Sequence, residues 1–122
     1  RTLRPLLPAA RPGALRPRNY ARLDAALGSL RGMRALYPGL PPGVCPWVYP
    51  LLVTDPEPLF GRLLAAGVPV VRFGHPLWPS VDERTCPVSA DLSRRVLALP
   101  CHQELREDEL AWLIDSVRKA AA

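Results

Sequence analysis

Trp47-Val48-Tyr49-Pro50-Leu51-Leu52-Val53 carries no charge, and it is followed at once by Thr54-Asp55-Pro56 and later by a second apolar run, Pro69-Val70-Val71-Arg72-Phe73. A strand with one wet face alternates apolar and polar residues. An uncharged run rich in branched and aromatic side chains therefore reads as a strand buried on both faces, and so as a central one. Pro50 has no N–H to give to a ladder, which predicts a break in pairing on one side of that strand. Asp55 is placed to cap a helix with its carboxylate, with Pro56 at the first helical position. Leu59, Phe60, Leu63 and Leu64 form its apolar stripe, and Gly67 closes it in the left-handed conformation. Strand, helix and strand together fill the span of a split or crossover unit.

The remaining sequence must build one domain around that unit, since 122 residues is close to the commonest domain size. The three cysteines, Cys45, Cys86 and Cys101, follow no regular spacing. With no signal peptide and no run of membrane-spanning length, free thiols in a reducing cytoplasm are expected. The net charge of +5 is carried almost wholly by arginines scattered along the chain, Lys119 being the single lysine. No aromatic RNA-binding motif, zinc finger or helix-turn-helix pattern accompanies it, so a nucleic-acid partner is not expected. The chain opens at Arg1 without an initiator methionine, and the expectation is that it was cut from something longer or processed.

Residues 1–13 hold Pro5, Pro8, Pro12 and Gly13, a density that predicts an extended linker from an upstream domain. From Pro17, helical spacing begins with Tyr20, Leu23, Leu27 and Leu30, ending before Gly32. Met33 to Tyr37 reads as a short strand stopped by Pro38-Gly39. The stretch from Gly74 to Val88, with Pro76, Pro79 and Pro87, reads as a long loop of the kind that more often carries function than not. Ser89 is placed to cap a short helix through Arg95, and Val96-Leu97-Ala98-Leu99 is a strand ended by Pro100. Leu110, Leu113, Ile114, Val117 and Ala121 mark the clearest helix, with Glu107, Asp108 and Glu109 in its first turn and Arg118 and Lys119 in its last. Short strands with one-sided helices imply a two-layer α+β sandwich with helices on one face of a small sheet of three or four strands.

No self-contained active site appears: there is no phosphate loop, HExxH, CxxC or G-x-S-x-G. A metal centre drawing on His75, Cys86, Cys101 and His102 matches none of the usual zinc spacings, and no metal is expected. Arg72, His75 and Trp78 combine a cation, an imidazole and an indole at the mouth of the long loop and are the candidate residues for a polar or anionic ligand. The bland alternative has Arg72 snorkelling from a strand and Trp78 packing the loop down. Cys101-His102-Gln103, between a strand and a helix, reads as structural, its polar groups satisfying loose backbone.

Four phrases in order carry a family resemblance. They are Arg18-Asn19-Tyr20 with Leu23; Tyr49-Pro50-Leu51-Leu52-Val53 with a helix ending Ala66-Gly67-Val68; Arg72-Phe73-Gly74-His75-Pro76-Leu77; and Arg95-Val96-Leu97-Ala98-Leu99-Pro100 with Cys101-His102. Together they resemble the C-terminal small domain of the DegT/DnrJ/StrS family of sugar aminotransferases, pyridoxal-phosphate enzymes of fold type I. The resemblance implies a mostly antiparallel sheet over residues 14–122, packed on a large domain that is missing here. It also implies that the chain closes the active-site cleft of a parent enzyme, a homodimer, that aminates a keto sugar, perhaps nucleotide-linked. In that family the Schiff-base lysine and the cofactor groups belong to the large domain. This chain alone is therefore expected to bind no cofactor and to be inactive. The family loop reads Arg-Pro-His-Tyr-Pro-Pro-Leu-His: Arg72 and Pro76-Leu77 match, whereas Gly74 and Trp78 stand where histidines are usual. The competing reading is a stand-alone, non-catalytic binding module of the same fold.

Overall fold

The structure is a computed structural model that describes residues 10–122, with side chains from Gly13 onward. Its elements in order are α1 (Ala10–Leu27), β1 (Met33–Ala35), β2 (Val48–Val53), α2 (Pro56–Ala65), β3 (Val71–Arg72), α3 (Pro87–Arg95), β4 (Val96–Pro100) and α4 (Glu107–Ala121). The strands form one sheet in the order β1-β2-β4-β3, and every neighbouring pair is antiparallel. Because β2 and β3 both run against β4, they run parallel to each other with β4 between them. The β2-α2-β3 segment is thus a split unit, with α2 as its crossover.

The alternation of side chains along β2 assigns its two faces. Tyr49, Leu51 and Val53 join Leu97 and Leu99 of β4 in the core, where α1 contributes Tyr20, Leu23 and Leu27, α2 Leu59 and Leu63, and α4 Leu110, Leu113 and Val117. Each fully buried leucine contributes about 2 kcal/mol of apolar burial, so this layer of three helices on a sheet carries most of the fold's stability. The expected α+β sandwich with a small antiparallel sheet is borne out. The two-sided burial expected for β2 holds at Leu52 but not at Val48 and Pro50, which are only half-buried on the face away from α1, α2 and α4. That face is approached by α3, whose Leu92 stands near Val96 and Ala98.

Pro50 behaves as expected. Its carbonyl accepts the Leu36 N–H at 3.1 Å, so its missing N–H also lies on the β1 side, where the ladder stops at Ala35 opposite Leu51. On the other side Pro50 stays in register with Ala98.

Several boundaries depart from expectation. Most of the linker assigned to residues 1–13 lies outside the described residues, but residues 10–13 begin α1. Pro12 falls in the first turn, where an N–H has no intrahelical partner to lose. The helix also continues through Pro17, because Tyr20, Leu23 and Leu27 are buried against the sheet and that packing outweighs one forfeited bond. Asp55 stands at the N-cap of α2 but its carboxylate makes no capping hydrogen bond. Leu64 lies outside the buried stripe, 51 % exposed. Ser89 does not cap α3, which begins two residues earlier at Pro87 with Cys86 before it, proline being favoured at a first helical position. Gly67 closes α2 at φ 77°, as expected. The α4 stripe is buried at Leu110, Leu113, Ile114 and Val117, and Glu109 accepts the Arg106 N–H at 2.8 Å.

Candidate functional site

Arg72 pairs with Leu97 across the β3–β4 ladder, and residues opposite each other share a face, so its side chain turns toward the helix layer. There the guanidinium lies 6.0 Å from the centre of the Phe60 ring, pairs through Nη1 with Glu57 and donates from Nη2 to the Arg94 carbonyl at 3.1 Å. Its Nε is buried without a partner. Arg72 therefore clamps β3 to α2 and to the end of α3. Of its two companions, His75 is exposed on the loop and Trp78 is 77 % exposed.

The loop itself is anchored at its start and braced within by a local turn. Gly74 adopts φ 72°, a region open to glycine, and is followed by a cis His75–Pro76 bond. The buried Ser93 hydroxyl donates to the Gly74 carbonyl at 2.6 Å. Farther along, the Asp82 carboxylate accepts the backbone N–H groups of Arg84 and Thr85, each at 2.9 Å. The Thr85 bonds hold the Asp82 carboxyl below the usual carboxylate range.

Cys101-His102-Gln103 is pinned, as the structural reading expects. Asn19, fully buried on α1, donates Nδ2 to the His102 carbonyl at 2.9 Å and toward that of Cys101 at 3.5 Å. Arg16 donates to Gln103 Oε1 at 2.7 Å and to the Pro46 carbonyl at 3.3 Å. Burial pushes the Cys101 thiol up to about 11, which suits a packing residue rather than a nucleophile. A second polar cluster ties α1 to the turn after β1. Tyr20 Oη donates to the Tyr37 carbonyl at 2.6 Å, Tyr49 Oη lies 3.3 Å from Asp24, and Asp24 accepts the Gly39 N–H at 2.9 Å. Burial, with Asp24 nearby, raises the hydroxyl of Tyr20 to about 12 and that of Tyr49 further.

A site that the sequence reading missed occupies the open face of the sheet. A hollow of about 300 Å³ is floored by Val48 and Pro50 of β2 and Val96 and Ala98 of β4, and walled by Leu36, Tyr37, Trp47, Phe73 and Leu92. None of these nine residues is charged. Tyr37, Trp47 and Phe73 are 64 %, 71 % and 56 % exposed. Aromatic residues placed at the ends of strands, Tyr37 after β1, Trp47 before β2 and Phe73 after β3, were the signal available in the sequence.

Among the described residues no group of three or more His, Cys, Asp or Glu side chains is placed to hold a metal ion, and no helix is long and apolar enough to cross a membrane. Lys119 is exposed in the last turn of α4. An imine-forming lysine needs a desolvating pocket, and Lys119, exposed beside the equally exposed Arg118, has none, so this lysine does not fit an imine with pyridoxal phosphate.

No family model matches the chain, and no curated protein matches it. Among solved structures it is similar to a DegT DnrJ EryC1 StrS aminotransferase from Brucella abortus, at 28 % identity and a TM-score of 0.68, over 86 % of this chain and 30 % of that one. It is similar to the aminotransferase TlmJ from Streptoalloteichus hindustanus at 26 % identity and a TM-score of 0.70, again over 86 % and 30 %. DesV of S. venezuelae, solved in complex with a ketimine intermediate, shares the fold at 24 % identity and a TM-score of 0.73, over 89 % of this chain and 32 % of that one. The chain thus spans about a third of the length of the structures it matches.

Proposed function

From the premise that this chain carries the fold of the C-terminal small domain of DegT/DnrJ/StrS aminotransferases, we propose that it closes the active-site cleft of such an enzyme. The observation that carries the reading is the unequal coverage: most of this chain aligns with under a third of the first two aminotransferases. The proposed parent enzyme is a cytoplasmic homodimer that moves an amino group from an amino acid to a keto sugar, with pyridoxal phosphate held on the large domain. When bound there, that cofactor supplies the electron sink for transamination.

The residues of this chain then act by position. Gly74, anchored by Ser93, presents His75 and Trp78 outward on the loop, where an imidazole and an indole meet a sugar hydroxyl and a sugar face. Arg72 supports the loop's root through Glu57 and Arg94 and is a positioning residue in this account. Trp78, where the family loop has histidine, sets the substrate apart from that of relatives with the usual loop.

The test is an amino-transfer assay with an amino acid donor and nucleotide-linked keto sugars. It compares the 122-residue chain with the full product of the reading frame that encodes it. We expect turnover from the full product and none from the chain. Turnover by the chain alone would overturn the proposal, and a full product that carries no further domain would favour a stand-alone binding module.

A further inference from the structure

We infer that Cys45 and Cys101 form a peroxide-sensitive thiol pair, joined by a disulfide when the chain meets a hydroperoxide and returned to thiols by a dithiol reductant. The fold brings together two residues that stand 56 apart in the sequence. The Cys101 Sγ lies 3.9 Å from the carbonyl oxygen of Pro46, the residue next to Cys45. Standard bond lengths put that oxygen within about 6 Å of the Cys45 Cα. Cys45 is also near enough for its thiolate to oppose charge on the Cys101 sulfur. Residues 41–46 belong to no helix or strand, so a loop shift on the order of a few Å brings the two Cβ atoms to disulfide distance. Arg16 keeps the Pro46 carbonyl in place from α1 at 3.3 Å, and Asn19 holds the turn after Cys101 through the His102 carbonyl at 2.9 Å. Cys45 is the partner left to move.

The two thiols differ in the way a sensing pair needs. Cys45 is exposed, whereas Cys101 is fully buried among core residues, so a dissolved oxidant reaches Cys45 first. The Cys45 sulfur takes one oxygen from hydrogen peroxide: an S–O bond forms, the O–O bond breaks, and the hydroxide released combines with the Cys45 proton as water. The Cys101 sulfur then attacks the Cys45 sulfur. An S–S bond forms, the S–O bond breaks, and the departing hydroxide carries off the Cys101 proton as a second water. Both sulfurs are oxidised and one peroxide is reduced. Burial keeps Cys101 protonated in the resting chain, but a partner held beside it offsets a small thiolate fraction by its high effective concentration. Cys86 is the competitor. It is exposed as well, yet it precedes α3, which approaches the sheet from the face opposite the core that holds Cys101. The Cys45–Cys101 bond fastens the loop leading into Trp47 and β2 to the end of β4, at the rim of the hollow over Val48 and Pro50.

Peptide mapping of the 122-residue chain after hydrogen peroxide, with remaining thiols alkylated before digestion, tests the pair. Chain entropy alone favours a different link. Cys86 and Cys101 are only 15 residues apart, so in urea the Cys86–Cys101 link should exceed Cys45–Cys101 about seven-fold by loop closure. In the folded chain we expect the order reversed, with Cys45–Cys101 about ten-fold ahead, Cys86 alkylated, and dithiothreitol restoring all three thiols. Cys86→Ser should form the link in the same yield as the parent chain. Cys45→Ser should form none and leave Cys101 alkylated only after unfolding; the side chain is exposed, and a reduced variant with the parent urea midpoint shows that the fold survives. A Cys86–Cys101 link leading in the folded chain would overturn the inference. So would links formed only between chains, or Cys45 carried on to sulfinic acid while Cys101 stays a thiol.

Discussion

Asn19 is fully buried and its amide is the tie between α1 and the turn after β4. Asn19→Ala leaves two carbonyls without their donor, and we expect it to cost about 1–3 kcal/mol, read as a lower urea midpoint with unchanged slope. Tyr20 and Cys101 make the same region sensitive to base. Both hold folded pKa values, about 12 and about 11, above their ordinary 10.0 and 9.0. Between the unfolded and folded values the native state keeps protons that the unfolded chain has released. Stability is therefore complete below pH 9 and falls as pH rises through 9 to 12, which urea titrations at stepped pH would show. At this scale the sequence was partly legible. The structural reading of Cys101-His102-Gln103 followed from its place between two elements. Arg72 was not assignable, because what occupies a guanidinium, here Glu57, Phe60 and the Arg94 carbonyl, depends on residues far from it in the chain.

Helix ends show which local signals survive tertiary context. Gly67 was readable because a left-handed residue, φ 77°, penalises every side chain. Asp55 was readable as a cap position but not as a bond, since its carboxylate accepts nothing from the first turn. The two make opposite predictions. Gly67→Ala should lower stability by about 1 kcal/mol, whereas Asp55→Ala should stay within about half of the 1 kcal/mol that a bonded cap contributes. Paired thermal melts check both, and a larger loss at Asp55 than at Gly67 would contradict the structure. The start of α1 was hidden for a related reason: prolines at 12 and 17 argue against helix locally, and only the burial of Tyr20, Leu23 and Leu27 reverses that argument.

For the whole molecule, the split unit and the four-stranded antiparallel sheet followed from a few strong signals, above all the uncharged run of β2 and the periodic face of α4. The open face did not, because an uncharged strand looks the same whether both sides meet protein within the chain or one side waits for another domain. That ambiguity is central to the account: a small sheet with three of its helices on one face and α3 approaching the other, which we propose serves an enzyme whose cofactor sits elsewhere. Pyridoxal phosphate followed by borohydride, with the labelled lysine located by mass spectrometry, tests it most directly. The account predicts that Lys119 in the folded chain labels no more than in the same chain unfolded in urea, while the full product labels at a lysine outside these residues. Stoichiometric labelling of Lys119 confined to the folded 122-residue chain would contradict it.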